Sequence, residues 1–230
     1  MELLNYALEY HKRGLAVVPI GDGSKAPIPK KWQDKRLSEA DLKYWFNNGH
    51  NVTGIGIVTG ALSGNLTNLD FDGPGWGTAF EHFTHAWDEQ IAYTPIINTG
   101  SHKRHIWLSC PTMPADFTVG KFHKGEIVGI DARGYPIYDQ VIELRGNRMN
   151  NLAPPSLHPS GGRYEWETDE AEIATVDFNE LRGWLSNWGE KKQKYGKLPQ
   201  ATVTFLSLQG PLPESNRNEQ LYAAAQQFYA

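Results

Sequence analysis

The stretch GIGIVTGALSGNLTNLDFDGP, residues 54–74, decides how the rest of the chain is read. Residues 55–59 and 68–71 are short apolar runs, and the Gly60 to Gly64 segment between them has turn chemistry, so two strands joined by a turn are expected. The second run ends on Asp70-Phe71-Asp72 and is followed at once by Gly73-Pro74. Side chains at i and i+2 of a strand share a face. Both carboxylates therefore face one side, where the chain turns toward solvent. Two convergent carboxylates repel unless a cation lies between them, and hard oxygen donors suit Mg²⁺ or Mn²⁺. Turn capping or plain surface acidity accounts for the spacing about as well.

Working outward, residues 2–13 carry Leu3, Leu4, Ala7 and Leu8 at helical spacing, with Gly14 as a C-terminal stop. Residues 15–20 form a β-branched strand, and 21–31 a loop rich in Gly, Pro and Lys. Ser38-Glu39-Ala40-Asp41 is a variant capping box that opens a helix through Phe46. Residues 78–90 and 177–187 predict helices. Residues 96–98, 105–108, 140–144 and 164–167 predict strands, and 154–163 (PPSLHPSGGR) no regular element. This irregular alternation predicts an α+β fold with a mixed or antiparallel sheet. The expected organisation is a domain at 1–188, a polar linker at 189–213, and the start of a truncated C-terminal helical region at 214–230.

Composition narrows the function classes. Forty per cent hydrophobic and 12% aromatic residues in 230 exclude global disorder. The single cysteine, Cys110, excludes an intramolecular disulfide framework and a Cys-rich zinc site, so no zinc is expected. No signal peptide and no long apolar run is present, which predicts a cytoplasmic chain without a membrane partner. A net charge of −4 gives no global attraction to nucleic acid. Basic residues concentrate locally instead, at Lys25, Lys30, Lys31, Lys35 and Arg36, and again at His102-Lys103-Arg104. A solvated charged face explains either patch taken alone.

Three more segments carry chemistry. Thr99-Gly100-Ser101-His102-Lys103-Arg104-His105 enters a strand with a glycine turn, hydroxyls and cations, a set that suits a triphosphate or a polar hairpin turn. Glu143 lies between Ile142 and Leu144, where burial is costly without a partner. A shared metal or an ion pair with Arg145 would remove that cost. Pro154 to Tyr164 is a stiff loop that presents Ser156 and His158 in fixed geometry, its glycines permitting close backbone approach.

Four segments in order, GLAVVPIGDGSKAPIPKKW, GIGIVTGALSGNLTNLDFDGP, TGSHKRHIWL and ELRGNRMNNLAPPSLHPSGGRYEW, resemble the bifunctional primase/polymerase (prim-pol) N-terminal domain of the archaeo-eukaryotic primase superfamily. The resemblance runs from about residue 5 to 168. It implies a two-part prim-pol fold with an RRM-like sheet flanked by helices. The implied activity is DNA primase and DNA polymerase: primers made and extended on single-stranded DNA from NTP or dNTP, with two divalent ions. Asp70 and Asp72 match the first acidic motif, and His105 the histidine of the second, which contacts nucleotide phosphates. Glu143 matches the third acid. Asp131, in GIDARG, is the runner-up, but Glu143 stands the expected eleven residues before Pro154 and Asp131 twenty-three. Lys103 stands where many superfamily members have Ser. Lys103, Arg145, Ser156 and His158 would complete the nucleotide site, and the basic loop with Lys25, Lys30, Lys31, Lys35 and Arg36 would grip template. The resemblance also implies a helicase domain or partner beyond the C-terminal side, and a plasmid or phage replicon.

Two other readings compete. LDFDG is also similar to the nucleophile strand of haloacid-dehalogenase-type phosphatases, but Pro74 replaces their usual Thr or Val and no Asp-Asp dipeptide follows. A non-catalytic single-stranded DNA-binding module would use the aromatics and cations without the acids. The three acidic motifs together favour the enzyme.

Overall fold

A computed structural model describes residues 3–21, 23–131, 133–168 and 172–189. The linker expected beyond Gly189 and the helical region expected at 214–230 lie outside these residues.

The chain opens with α1 (Leu3–Lys12), which turns at Gly14 (φ +92°) into β1 (Ala16–Gly21). Helix α2 (Glu39–Asn47) starts at the expected capping box: Asp41 N–H donates to Ser38 Oγ, and Ser38 N–H donates to the Asp41 carboxylate. Strand β2 (Val52–Val58) pairs antiparallel with β1 and with β8 (Asn150–Ala153), giving a three-stranded sheet ordered β1-β2-β8. The 3₁₀ turn Ala61–Ser63 then carries the chain into a second sheet.

That second sheet has six strands in the order β6-β7-β3-β5-β4-β9, all paired antiparallel. Its members are β3 (Leu66–Asp72), β4 (Ile96–Asn98), β5 (Arg104–Ser109), β6 (Val119–Ile130), β7 (Pro136–Arg145) and β9 (Glu165–Thr168). Between β3 and β4 the expected single helix is two, α3 (Trp76–Ala86) and α4 (Asp88–Ile91). They break at Trp87, which leaves helical geometry at φ −124° to stack on Phe83 in the core. Helix α5 (Phe178–Trp188) closes the described chain, capped by Asp177.

Helices and antiparallel sheets make this an α+β fold, as expected. Alternation along the central strands divides the six-stranded sheet into two faces. Leu69, Phe71, Ile106, Leu108, Ile142 and Leu144 are fully buried in the core that includes α3 and α5. A fully buried Leu or Phe contributes roughly 1.5–3 kcal/mol, so this face fixes the register of β3, β5 and β7. The opposite face carries Ile97 and Trp107, which join the core of the three-stranded sheet, α1 and α2. Beside them on that face lie the polar residues of the site.

Candidate functional site

Register builds the centre of the site. Asp70 on β3 stands opposite His105 of β5 on one side and Glu143 of β7 on the other. Directly opposed residues of an antiparallel pair present their side chains on one face, with Cβ atoms about 4.5–5.5 Å apart. Because Phe71 is buried on the helical side, Asp70 and Asp72 must face away from it, as the spacing predicts.

Each acid meets a basic side chain. His105 Nε2 lies 3.3 Å from Asp70 Oδ1, and an Arg145 guanidinium nitrogen 3.7 Å from Asp70 Oδ2. Lys121 Nζ is 3.3 Å from Glu143 Oε1, and Lys103 pairs with Asp72. Burial pushes the Asp70 carboxyl up, but the charge and hydrogen bond of His105, with Arg145 and Lys25 behind, outweigh it and hold the group below its ordinary value. His105 is 5% exposed, its Nδ1 has no hydrogen-bond partner among the described residues, and its ring lies 5.9 Å from that of Tyr164. Burial and the nearby Asp70 charge raise the Tyr164 phenol, which stays protonated.

These groups open into a cavity of about 350 Å³ lined by Lys25, Asp70, His105, Arg145, Arg148 and Tyr164 among others. Three permanent cations face one carboxylate there, so the cavity favours an anionic ligand. Arg148 also reaches Asp34 at 2.5 Å, tying β8's leading edge to the basic loop. Neither Tyr164 nor Arg148 was separable, in sequence, from an ordinary sheet aromatic and a surface arginine.

The other expected site residues are dispersed. Ser156 is fully buried: its Oγ accepts from Ile55 N–H at 2.8 Å and lies within reach of the Ile55 and Ala153 carbonyls. Its hydroxyl joins the loop to β2. His158 packs against the β4–β5 turn, where Nδ1 accepts from Ser160 N–H. Burial, then the charges of Lys25 and Lys103, lower its imidazole pKa. Gly162 serves backbone contact within the protein: a Cβ there would lie 2.0 Å from the Gly100 carbonyl oxygen. Lys30, Lys31 and Lys35 line a separate cavity, and Arg36 donates to the His11 carbonyl. Asp131 sits at the end of the β6–β7 hairpin, accepting from the N–H groups of Arg133 and Tyr135.

Asp70, Asp72 and Glu143 are hard oxygen donors on one sheet face, which fits Mg²⁺ or Mn²⁺ in donor type. Among the described residues no three His, Cys, Asp or Glu side chains converge as a metal cluster. The carboxylates rest on side-chain cations instead.

Acids beside a cavity lined by Lys and Arg suit a ligand that carries several negative charges. The chain belongs to the Prim-Pol family, the bifunctional DNA primase/polymerase N-terminal domain, whose family model matches residues 7–190. Membership implies a nucleotidyltransferase of the DNA primase/polymerase type that binds nucleotides and DNA. No curated protein matches the chain. Among the described residues no helix is long and apolar enough to cross a membrane.

Proposed function

We propose that this domain synthesises and extends DNA primers on single-stranded template. The primer 3′-hydroxyl attacks the α-phosphorus of a nucleoside triphosphate; the new P–O bond forms as the bond to pyrophosphate breaks, and the hydroxyl proton leaves to solvent. The observation that carries this reading is the Glu143–Asp70–His105 row across β7, β3 and β5 at the edge of the cationic cavity.

Arg145, Lys25 and Arg148 neutralise and orient the triphosphate, so that the reacting atoms meet in line. Asp70 fixes the His105 ring, whose position on the cavity wall suits a phosphate contact. Lys103, half of an exposed pair with Asp72, is free to exchange that carboxylate for phosphate. Mg²⁺ or Mn²⁺ held by Asp70, Asp72 and Glu143 would lower the pKa of the attacking hydroxyl and neutralise the departing pyrophosphate.

The test is synthesis by the purified chain on single-stranded DNA, with and without primer, in Mg²⁺ or Mn²⁺, beside Asp70→Asn. Products that Asp70→Asn does not make support the reading. Metal-independent DNA binding with no synthesis under any condition favours a binding module instead.

A further inference from the structure

Strand register sets four titratable side chains in one cross-strand row on the site face of the six-stranded sheet: Lys121 on β6, Glu143 on β7, Asp70 on β3 and His105 on β5. Two acids stand at the centre and a basic group at each end. Like charges directly opposite one another destabilise a sheet, and opposite charges stabilise it. Asp70 is relieved by the His105 ring and by Arg145, both largely buried. Glu143 has a different neighbour. Among the described residues its one ion pair is with Lys121, whose Nζ lies 3.3 Å from Glu143 Oε1.

The two ends of the row differ in freedom. His105 is enclosed within the sheet, whereas β6 is an edge strand and the Lys121 side chain is 59% exposed, against 18% for Glu143. An ammonium on a flexible four-carbon stem is strongly hydrated, and an exposed one leaves a carboxylate for water at little cost. Lys121 is not among the residues lining the cavity at Asp70. What its charge meets is Glu143.

We propose that Lys121 is a positioning residue for the divalent ion: it neutralises and holds Glu143 until an ion binds the acids, then yields the carboxylate and turns to solvent. Ion binding is thereby an exchange, a doubly charged ion displacing one ammonium, and Lys121 sets the ion concentration at which it occurs. Lys103 stands in a similar relation to Asp72, but in the reading above it also meets phosphate. A change at Lys121 isolates the exchange from nucleotide binding. The inference rests on the metal role of Asp70, Asp72 and Glu143 in that reading.

The test is Mn²⁺ titration of the full chain without nucleotide or DNA, the free ion counted by its electron paramagnetic resonance signal. Lys121→Met is expected to bind Mn²⁺ about three- to fivefold more tightly than the parent, the scale of one exposed ion pair that no longer has to break. Lys121→Arg keeps the charge and should match the parent. Lys124→Met removes the same charge from the other face of β6, where Lys124 Nζ lies 5.8 Å from the centre of the Trp188 ring, and should also match the parent. The gain should vanish in Lys121→Met/Glu143→Gln. A cross-strand pair that served stability alone would lower the melting temperature of Lys121→Met and leave its Mn²⁺ affinity at the parent value, which would overturn the proposal. An equal gain in Lys121→Arg or in Lys124→Met would overturn it too, the latter in favour of net charge. Glu143→Gln separates the two readings. If it weakens Mn²⁺ binding while Lys121→Met binds as the parent does, Glu143 is a metal ligand and the Lys121 inference alone fails. If Glu143→Gln and Asp70→Asn both bind Mn²⁺ as the parent does, the metal assignment fails and the Lys121 inference with it.

Discussion

Asp70 and Glu143 are direct cross-strand partners on β3 and β7, yet their carboxylates lean on different partners, Asp70 on the His105 ring and Arg145 and Glu143 on Lys121. Side-chain cations thus hold apart two acids that would otherwise repel. The Asp70 partners His105 and Arg145 are 6% and 22% exposed, whereas Lys121, the partner of Glu143, is 59% exposed and free to swing away. Glu143 is therefore the acid more easily released toward a ligand in the cavity.

The identity of the third acid can be decided by charge removal. Glu143→Gln should cut primer extension at least about a hundredfold, the scale expected when a group acting on the transition state is lost. Asp131→Asn should keep the parent rate, because that side chain closes the β6–β7 hairpin turn. Single-turnover extension rates rank the two.

Ser156→Ala should lower stability by about 1–3 kcal/mol, since the buried Ile55 N–H loses its acceptor. Activity per folded molecule should stay at the parent level. Denaturant unfolding and kcat on the same preparation check both halves.

Asp177 caps α5 by accepting from Glu180 N–H and Asn179 N–H, with Thr112 Oγ1 donating to its other oxygen. The Glu180 backbone bond first, then Thr112, hold its carboxyl below the ordinary value against a small opposing effect of burial. A depressed folded-state pKa means the stabilisation is complete above the unfolded value, about 3.9, and is lost as pH falls through the lowered one. Asp177→Ala should therefore melt below the parent at pH 7, with the gap closing below about pH 4. A gap constant from pH 7 to pH 3 would contradict this.

Gly100→Ala should damage the site from a distance. The new Cβ would lie 2.3 Å from His158 Cβ and 2.7 Å from the Gly162 carbonyl oxygen, so the stiff loop must move off the β4–β5 turn. A lower Tm and a raised nucleotide KM are expected, measured against Gly161→Ala. No heavy atom lies within 4 Å of a Cβ there, so only backbone strain at φ +94° applies.

Elements marked by local chemistry were legible in the sequence. Ser38 and Asp41 declared the start of α2, Gly14 the end of α1, and the apolar Phe71 between two aspartates the face on which those acids stand. These signals rest on hydrogen bonds and dihedral preferences within a few residues, which a sequence displays directly. Strand β6 was not legible, because its three glycines and mixed polarity interrupt any period of two. Strand β8, Asn-Asn-Leu-Ala, lacks β-branched residues and is a strand only because β2 offers it a ladder.

The sequence by itself determined the α+β class, the family and the acidic strand, since each is written in adjacent residues. Tertiary structure alone decided that β2 and β3 enter different sheets, that Ser156 spends its hydroxyl on backbone, and that Lys25 parts company with Lys30, Lys31 and Lys35. It also set His105 and Glu143 on either side of Asp70. Those outcomes depend on which strand edges pair and which faces are buried, and pairing between distant segments leaves no local trace in the chain.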